Sequence, residues 1–462
     1  MDGKKADLLI IGAGPAGYVG AIRAAQLGMK PVILEKEKPG GVCLNWGCIP
    51  SKSLIHQAEV FASRKELEEM GVTLDLSGFS YELVQKQSRK VADQVSKGID
   101  YLFKKNGITH IPRAGRLAGE DRVELEDGTV YEADHILLAT GSRPRELPFL
   151  PFDGKKVLSS TDALKMTQRP DSIIILGGGA IGCEFAHILA TFGTQVTLVE
   201  MLPRLLPGAD GEVVAVLERS FKRRGIKILK DTTALGADLS GDGVTLKVSA
   251  KGTEQELKAQ MLLVVTGRVP NTEELGLEKA GLSLEKGFVP VGPGYRTAAS
   301  RIRAAGDILA GPMLAHLASK EAERAVEDAA GQGKGDIIPW DLIPAAVYTE
   351  PQIAGFGYTE ERAKEEGIPY SAAVFPFKAV GKAAAIGRTE GLIKIITDSR
   401  NGEILGGHGA GSQVTEIIHE LLLAKSSELL TRDLAEMIHA HPSLSEAVME
   451  AAKAAEGGAI HI

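Results

Sequence analysis

The amino-acid sequence predicts an α/β chain in which one strand-turn-helix-strand unit occurs twice and is followed by an α+β domain. Three observations predict it. One glycine pattern stands at 12–17 and again at 177–182, an apolar run precedes each copy, and from about Pro344 strand-like runs meet across Asn401-Gly402 ahead of helix-patterned segments.

The elements of the repeat follow in order. Asp7 to Ile11 form an apolar run ending in Gly12-Ala-Gly14-Pro-Ala-Gly17; a helix-patterned stretch continues through Leu27, and Pro31 to Leu34 supply a second strand closed by Glu35. Residues 173–176 lead into Gly177-Gly-Gly179-Ala-Ile-Gly182, a helical stretch through Phe192, and a strand closed by Glu200. In both copies the acid stands 18 residues after the third glycine. Each glycine has its own task. Gly12 and Gly177 permit the tight turn, Gly14 and Gly179 let a pyrophosphate approach the backbone, and Gly17 and Gly182 let helix and strand pack closely. The helix start offers free N–H groups and a positive dipole end to phosphates, and the carboxylate accepts from ribose hydroxyls. Two Rossmann-like dinucleotide-binding domains are the expectation.

The duplication continues. Arg122 to Ala133, with Asp127-Gly128 as a hairpin turn, lead to an apolar strand ending at Thr140-Gly141; Val244 to Ala259 lead to a strand ending at Thr266-Gly267. The first copy is longer by about 39 residues between fingerprint and Thr-Gly, which accommodates an excursion from about Pro39 to Gly107 containing two cysteines. After Pro270 the pattern changes, and Ala304-Ala-Gly306-Asp307 ahead of a helical run reads as another strand-to-helix turn. In the last region Leu392 to Asp398 and Glu403 to Gly409 form an expected hairpin, followed by two helices ending near Ala455. The expected division is 1–148, 149–270, 271–343 returning to the first domain, and 344–462.

Composition bounds the function. At 462 residues the chain exceeds one hydrophobic core and suggests two to four domains of roughly 100–200 residues each. Hydrophobic residues make up 44% and charged residues 24%, and no apolar run approaches the roughly 20 residues of a membrane span, so disorder and membrane insertion are both excluded. The net charge of −7 comes without a basic block, which argues against nucleic acid. The N-terminus runs straight into a strand and resembles neither a signal peptide nor a transit segment, so a cytoplasmic or already processed protein is expected. Three cysteines, Cys43, Cys48 and Cys183, are too few for a disulfide framework.

Cys43-Leu-Asn-Trp-Gly-Cys48 has neither a zinc spacing nor that of C-x-x-C. On an ideal helix residues five apart lie roughly 8–9 Å apart at Cα, beyond the ~7 Å limit for bridging, so a disulfide here needs a local distortion that Gly47 can supply. A dithiol beside two dinucleotide sites suggests an electron relay.

Together the motifs at 12–17, 40–52, 139–141, 177–184, 266–271, 304–307 and 439–447 resemble those of the pyridine nucleotide-disulfide oxidoreductases, and within them the dihydrolipoamide dehydrogenase family, over nearly the whole chain. The resemblance implies an enzyme in which the first fingerprint holds FAD, with Glu35 on the adenosine ribose, Asp307 on the ribityl chain, and Lys52, Thr140, Gly141 and Ala315 also at the cofactor. The second fingerprint, with Glu200 and Gly267, would hold NAD. Cys43 resembles the interchange thiol and Cys48 the thiol facing the flavin, with Lys52 and Glu184 beside it. His441 and Glu446 resemble an acid/base pair, although Ser443-Leu-Ser-Glu446 is also a capping box. The resemblance further implies a homodimer formed through residues 344–462, with lipoyl domains of 2-oxoacid dehydrogenase or glycine cleavage complexes as partners. Cys183 has no counterpart role and reads as a packing thiol; Trp46 and Leu317 depart from the pattern.

Relatives with further redox residues near the C-terminus are excluded, because no Cys follows Cys183. Glutathione-type reductases usually carry Val-Pro-Lys-Lys after the second Cys, where this chain has Ile-Pro-Ser51-Lys52. Glu200 repels a 2′-phosphate and favours NAD over NADP, with Arg204 close enough in sequence to oppose that preference. A flavin- and nucleotide-binding sensor without turnover is the alternative from another class; the intact cysteine pair and His-Pro-Ser-x-Ser-Glu run argue against it.

Overall fold

The computed structural model describes residues 4–462; Met1 to Gly3, the first residues of the N-terminal run, lie outside the described residues. The mixed α/β architecture predicted from the repeat is present. Strand Lys4–Ile11, helix Pro15–Gln26 and strand Pro31–Leu34 form the first unit, and Ser172–Leu176, Ala180–Thr191 and Gln195–Val199 form the second. Each helix follows a glycine N-cap in extended conformation without a side-chain cap, so its first N–H groups are left free.

In the first sheet Thr109–Ile111, Pro31–Leu34, Lys4–Ile11 and Val130–Leu138 run parallel in that spatial order. The far edge of Val130–Leu138 is shared. Its first residues pair antiparallel with Arg122–Leu125, and its last pair parallel with Ile302–Ala304, so the chain after Pro270 returns to this sheet. In the second unit the meander separates: Thr232–Asp238, Val244–Ala250 and Thr253–Ala259 form their own sheet, and Met261–Val264 pairs with Ser172–Leu176 and Val157–Leu158. A two-stranded crossing, Ser142–Pro144 against Arg268–Pro270, joins the two units.

The C-terminal region is an antiparallel five-stranded sheet in which Leu392–Asp398 and Ile404–Gly411 form the expected hairpin. Three helices follow, not two: Val414–Ser426, Thr431–Glu436 and Glu446–Ala455. The middle one spans six residues, too few for the helical period to show in sequence. It has its own core, with Phe375, Phe377, Ile393, Ile395, Leu421 and Val448 all but closed to solvent.

Candidate active site

The two fingerprints have one geometry. Gly12 and Gly177 hold φ of +101° and +116°, and a Cβ on either would meet a carbonyl oxygen of the returning strand's end, Ala139 at 2.3 Å or Val265 at 2.5 Å. A Cβ on Gly17 or Gly182 would lie 1.8 or 1.9 Å from the carbonyl oxygen of the first glycine in its own motif. The middle glycines differ: a Cβ on Gly179 meets nothing within 4 Å, and one on Gly14 meets only Gly41 Cα at 4.0 Å. Open space beside uncapped helix N–H groups is what a pyrophosphate requires.

The acids repeat this symmetry. Glu35 Oε2 accepts from Ala13 N at 2.9 Å and Oε1 from Glu37 N at 2.8 Å; Glu200 Oε2 accepts from Gly178 N at 2.6 Å and Oε1 from Leu202 N at 2.8 Å. Each carboxylate is thus oriented at its glycine turn with lone pairs left for further donors. These residues fit dinucleotides.

Cys43 lies in helix Gly41–Trp46 and Cys48 opens helix Cys48–Ala62, with the break between them at Gly47 (φ −146°, ψ −112°). Gly47 thereby permits the approach that a continuous helix forbids. The double helix start is seated on the first fingerprint: Gly40 N donates to Ala13 O at 2.7 Å, and a Cβ on Gly41 would lie 2.6 Å from Gly14 Cα. Both sulfurs are unbridged thiols. The Cys43 thiol is pushed well up, chiefly by its hydrogen bond to Cys48 and by burial, while Cys48 is lowered to about 7, chiefly by that hydrogen bond and then by Lys52.

Lys52 follows Cys48 by four residues and shares its helix face. Its Nζ lies 2.9 Å from both oxygens of Glu184, which also accepts from Tyr348 N at 3.1 Å, and stands 4.5 Å over the Tyr348 ring. Tyr348 carries no sequence signal that would single it out. Trp46, the departure in the cysteine loop, is flanked by Lys38, Arg89 and Lys165 within 6 Å of its ring centre, and Arg89 Nη1 donates to Asn45 O at 2.6 Å. Cys183 is fully buried, its thiol 3.4 Å from Gly178 O.

Three further polar groups lie around the first unit. Thr140 Oγ1 donates to Asn271 O at 2.7 Å, and Asn271 Nδ2 returns a bond to Thr140 O at 2.9 Å. Ser142 Oγ donates to Asp307 Oδ2 at 2.5 Å and accepts from Arg268 Nε at 2.7 Å. Glu321 Oε2 accepts from Gly306 N at 2.7 Å, with burial raising its carboxyl to about 7. Ser142, Arg268 and Glu321 escaped the sequence reading. Glu321 did leave a trace, an acid on the helix face otherwise formed by Leu317, Ala318, Ala322 and Ala325, all of them buried. Gly141 and Gly267 hold positive φ at the ends of the returning strands, and Ala315 is the first residue of helix Ala315–Ala329.

His441 Nδ1 lies 2.9 Å from Glu446 Oε1, while Glu446 Oε2 accepts from Ser443 N at 2.7 Å. The two sequence readings of Glu446 are compatible, because one oxygen serves the helix start and the other the imidazole. The capping box is only half made: Ser443 Oγ is buried without a partner. The His441 side chain is 76% exposed, and a Cβ on Gly381 would lie 3.7 Å from its Cε1. Close by in sequence, Ile438 is 95% exposed, with Leu423, Leu429 and Met437 also exposed. Exposed apolar side chains of this kind suit a protein interface. His439, by contrast, is held by Glu420 at 2.6 Å.

Among the described residues no helix is long and apolar enough to cross a membrane, and no group of His, Cys, Asp and Glu is arranged to hold a metal ion.

The chain is 40% identical to a dihydrolipoyl dehydrogenase of Bacillus subtilis, over 98% of this chain and 99% of that protein, and 39% identical to one of Zymomonas mobilis over 98% and 99%. Its fold matches the crystal structure of LpdA from Mycobacterium tuberculosis with a TM-score of 0.90 at 28% identity, covering 97% of this chain and 99% of that one. Residues 6–322 match the family model described as pyridine nucleotide-disulphide oxidoreductase and residues 343–452 its dimerisation domain, so the chain belongs to the pyridine nucleotide-disulphide oxidoreductases.

Proposed function

We propose that the protein is an FAD-dependent dihydrolipoyl dehydrogenase, which oxidises protein-bound dihydrolipoamide and reduces NAD. The observation that carries the reading is the seating of the Cys43–Cys48 helix break directly on the Gly12–Gly17 fingerprint, which sets a dithiol beside a dinucleotide site. Bound flavin supplies the two-electron step between the thiols and the nicotinamide.

The chain's own residues do the rest. A substrate thiolate attacks Cys43 Sγ of the Cys43–Cys48 disulfide and Cys48 leaves as thiolate; the second substrate thiol then displaces Cys43, so one S–S bond is broken and one formed. Lys52 stabilises the Cys48 thiolate and Glu184 fixes Lys52 in place. His441 takes the substrate proton at Nε2, while Glu446 holds Nδ1 and stabilises the imidazolium. Because His441 faces out of its own subunit, the reading places it over the thiols of a second copy. Gly12, Gly14, Gly17, Glu35, Thr140, Gly141, Asp307 and Ala315 are proposed to hold FAD, and Gly177, Gly179, Gly182, Glu200 and Gly267 to hold NAD. Lipoyl domains of a multienzyme complex are the proposed partners, and the cytoplasm the proposed compartment.

A glutathione-type reductase is the second reading. Ser51 disfavours it, being buried and donating to Cys48 O at 3.0 Å where that group carries a lysine. NADH formation with dihydrolipoamide against NAD(P)H-driven glutathione disulfide reduction, with both nicotinamide cofactors, tests the choice. Turnover of the glutathione substrate alone would overturn the proposal.

A further inference from the structure

Arg204 stands four residues beyond Glu200 on the loop laid against the second fingerprint. A Cβ on Gly178 would lie 2.6 Å from Leu205 Cδ2 and 3.0 Å from Glu200 Oε2, and Leu206 N donates to Gly178 O at 2.9 Å. A cation at this place in a dinucleotide fold is suited to a ribose 2′-phosphate. Yet Arg204 turns away. Nη1 donates to Glu361 Oε1 at 2.7 Å and Nη2 to Pro207 O at 3.1 Å.

Glu361 belongs to another part of the chain, the first turn of helix Glu360–Glu365 in the C-terminal domain. Its position is built. Oε1 also accepts from Gly211 N at 3.0 Å, and a Cβ at Gly211 would lie 2.3 Å from that oxygen, so a side chain there would push the carboxylate from its place. Glu361 Oε2 is buried without a partner, so Arg204 is the side chain that neutralises this acid.

We infer that Glu361 is a specificity-determining residue that acts at a distance from the nucleotide, holding Arg204 away from the ribose and so suppressing binding of 2′-phosphorylated dinucleotides. Glu200 rejects the phosphate by like charge, and Glu361 withdraws the cation that could welcome it. The inference rests on the reading of the second fingerprint as the nicotinamide dinucleotide site.

Calorimetry on the flavin-loaded dimer with 2′,5′-ADP and 5′-AMP as probes tests it without turnover. Glu361→Ala should raise the affinity ratio of 2′,5′-ADP to 5′-AMP by about tenfold, the scale of one charge-assisted hydrogen bond. Glu361→Gln, which keeps the shape and removes the charge, should give a smaller rise. Adding Arg204→Ala to Glu361→Ala should return the ratio to the wild-type value, an outcome that a merely structural clasp does not produce. A ratio unmoved in both Glu361 variants, or one that rises equally without Arg204, overturns the inference while the nucleotide site stands. If 5′-AMP does not bind the wild type, or binds it unaffected by Glu200→Ala, the site reading fails and the inference with it.

Discussion

The two nucleotide units are nearly superimposable in their chemistry and differ in what was inserted into them. In both, a positive-φ glycine opens the turn, a third glycine packs on the first, and an acid accepts the amide that follows the first glycine. The first unit then departs after Pro31–Leu34 into four helices that carry Cys43, Cys48 and Lys52, and it merges meander and returning strand into the single strand Val130–Leu138. The second keeps a separate meander and passes Glu184 to the first unit's lysine. The scaffold common to both therefore serves binding, and the proposed reaction chemistry draws on the excursion from the first copy, on Glu184 of the second and on His441 and Glu446 of the C-terminal region.

The widest contrast lies between cysteines of the two units. Cys48→Ser should lower dihydrolipoamide oxidation by roughly a thousandfold or more, as removal of a covalent participant does; Cys183→Ser should retain most activity, its cost being confined to thermal stability. Equal losses in steady-state assays would erase the distinction between the units. On gentle reduction, Cys43→Ser should keep a long-wavelength charge-transfer absorbance that Cys48→Ser lacks.

A mixed dimer sharpens the comparison by asking which excursion a given His441 serves. A heterodimer of Cys48→Ser and His441→Gln chains should recover about half of the wild-type activity per dimer when one intact site is formed across the interface and sites act independently. A purified, flavin-containing heterodimer as inactive as its parents would place each site within one subunit.

The acids separate the units more gently. Glu35→Ala should reduce retained flavin, whereas Glu200→Ala should leave flavin content intact and weaken NAD binding by about tenfold to a hundredfold, given ~1.5–3 kcal/mol for a hydrogen bond to a charged group. Absorbance at the flavin band and NAD titration check the pair, and a reversed pattern would exchange the two cofactor assignments.

The smallest effect is one of pH. Cys48 is depressed to about 7, so its thiolate is present above that value and is protonated as pH falls through it. The charge-transfer absorbance of the two-electron-reduced protein should therefore fall by half as pH drops to about 7, and in Lys52→Met, where the stabilising cation is lost, the same loss should occur at a higher pH. A titration unchanged by Lys52→Met would remove Lys52 from the account.

What the sequence determined by itself is what local sterics and periodicity encode. Gly12, Gly17, Gly177 and Gly182 are legible because no other residue fits the close approaches found there, and Glu35 and Glu200 because helix and strand lengths set their distance from the turn. The Asn401-Gly402 hairpin and the break at Gly47 are legible for the same reason. The middle C-terminal helix, at Thr431–Glu436, was not, since six residues carry too short a period. Only the tertiary structure decided the partners. Tyr348 meets Lys52 and Glu184, Arg204 meets Glu361, Ser142 meets Asp307, and Glu446 serves Ser443 and His441 at once, one oxygen each. Most of these pairs join residues more than 130 positions apart, and their choice follows from how separately folded sheets dock, which no local pattern records. Burial then sets what each charge does, so a lysine or glutamate that reads as surface in sequence becomes part of a site once a neighbouring domain covers it.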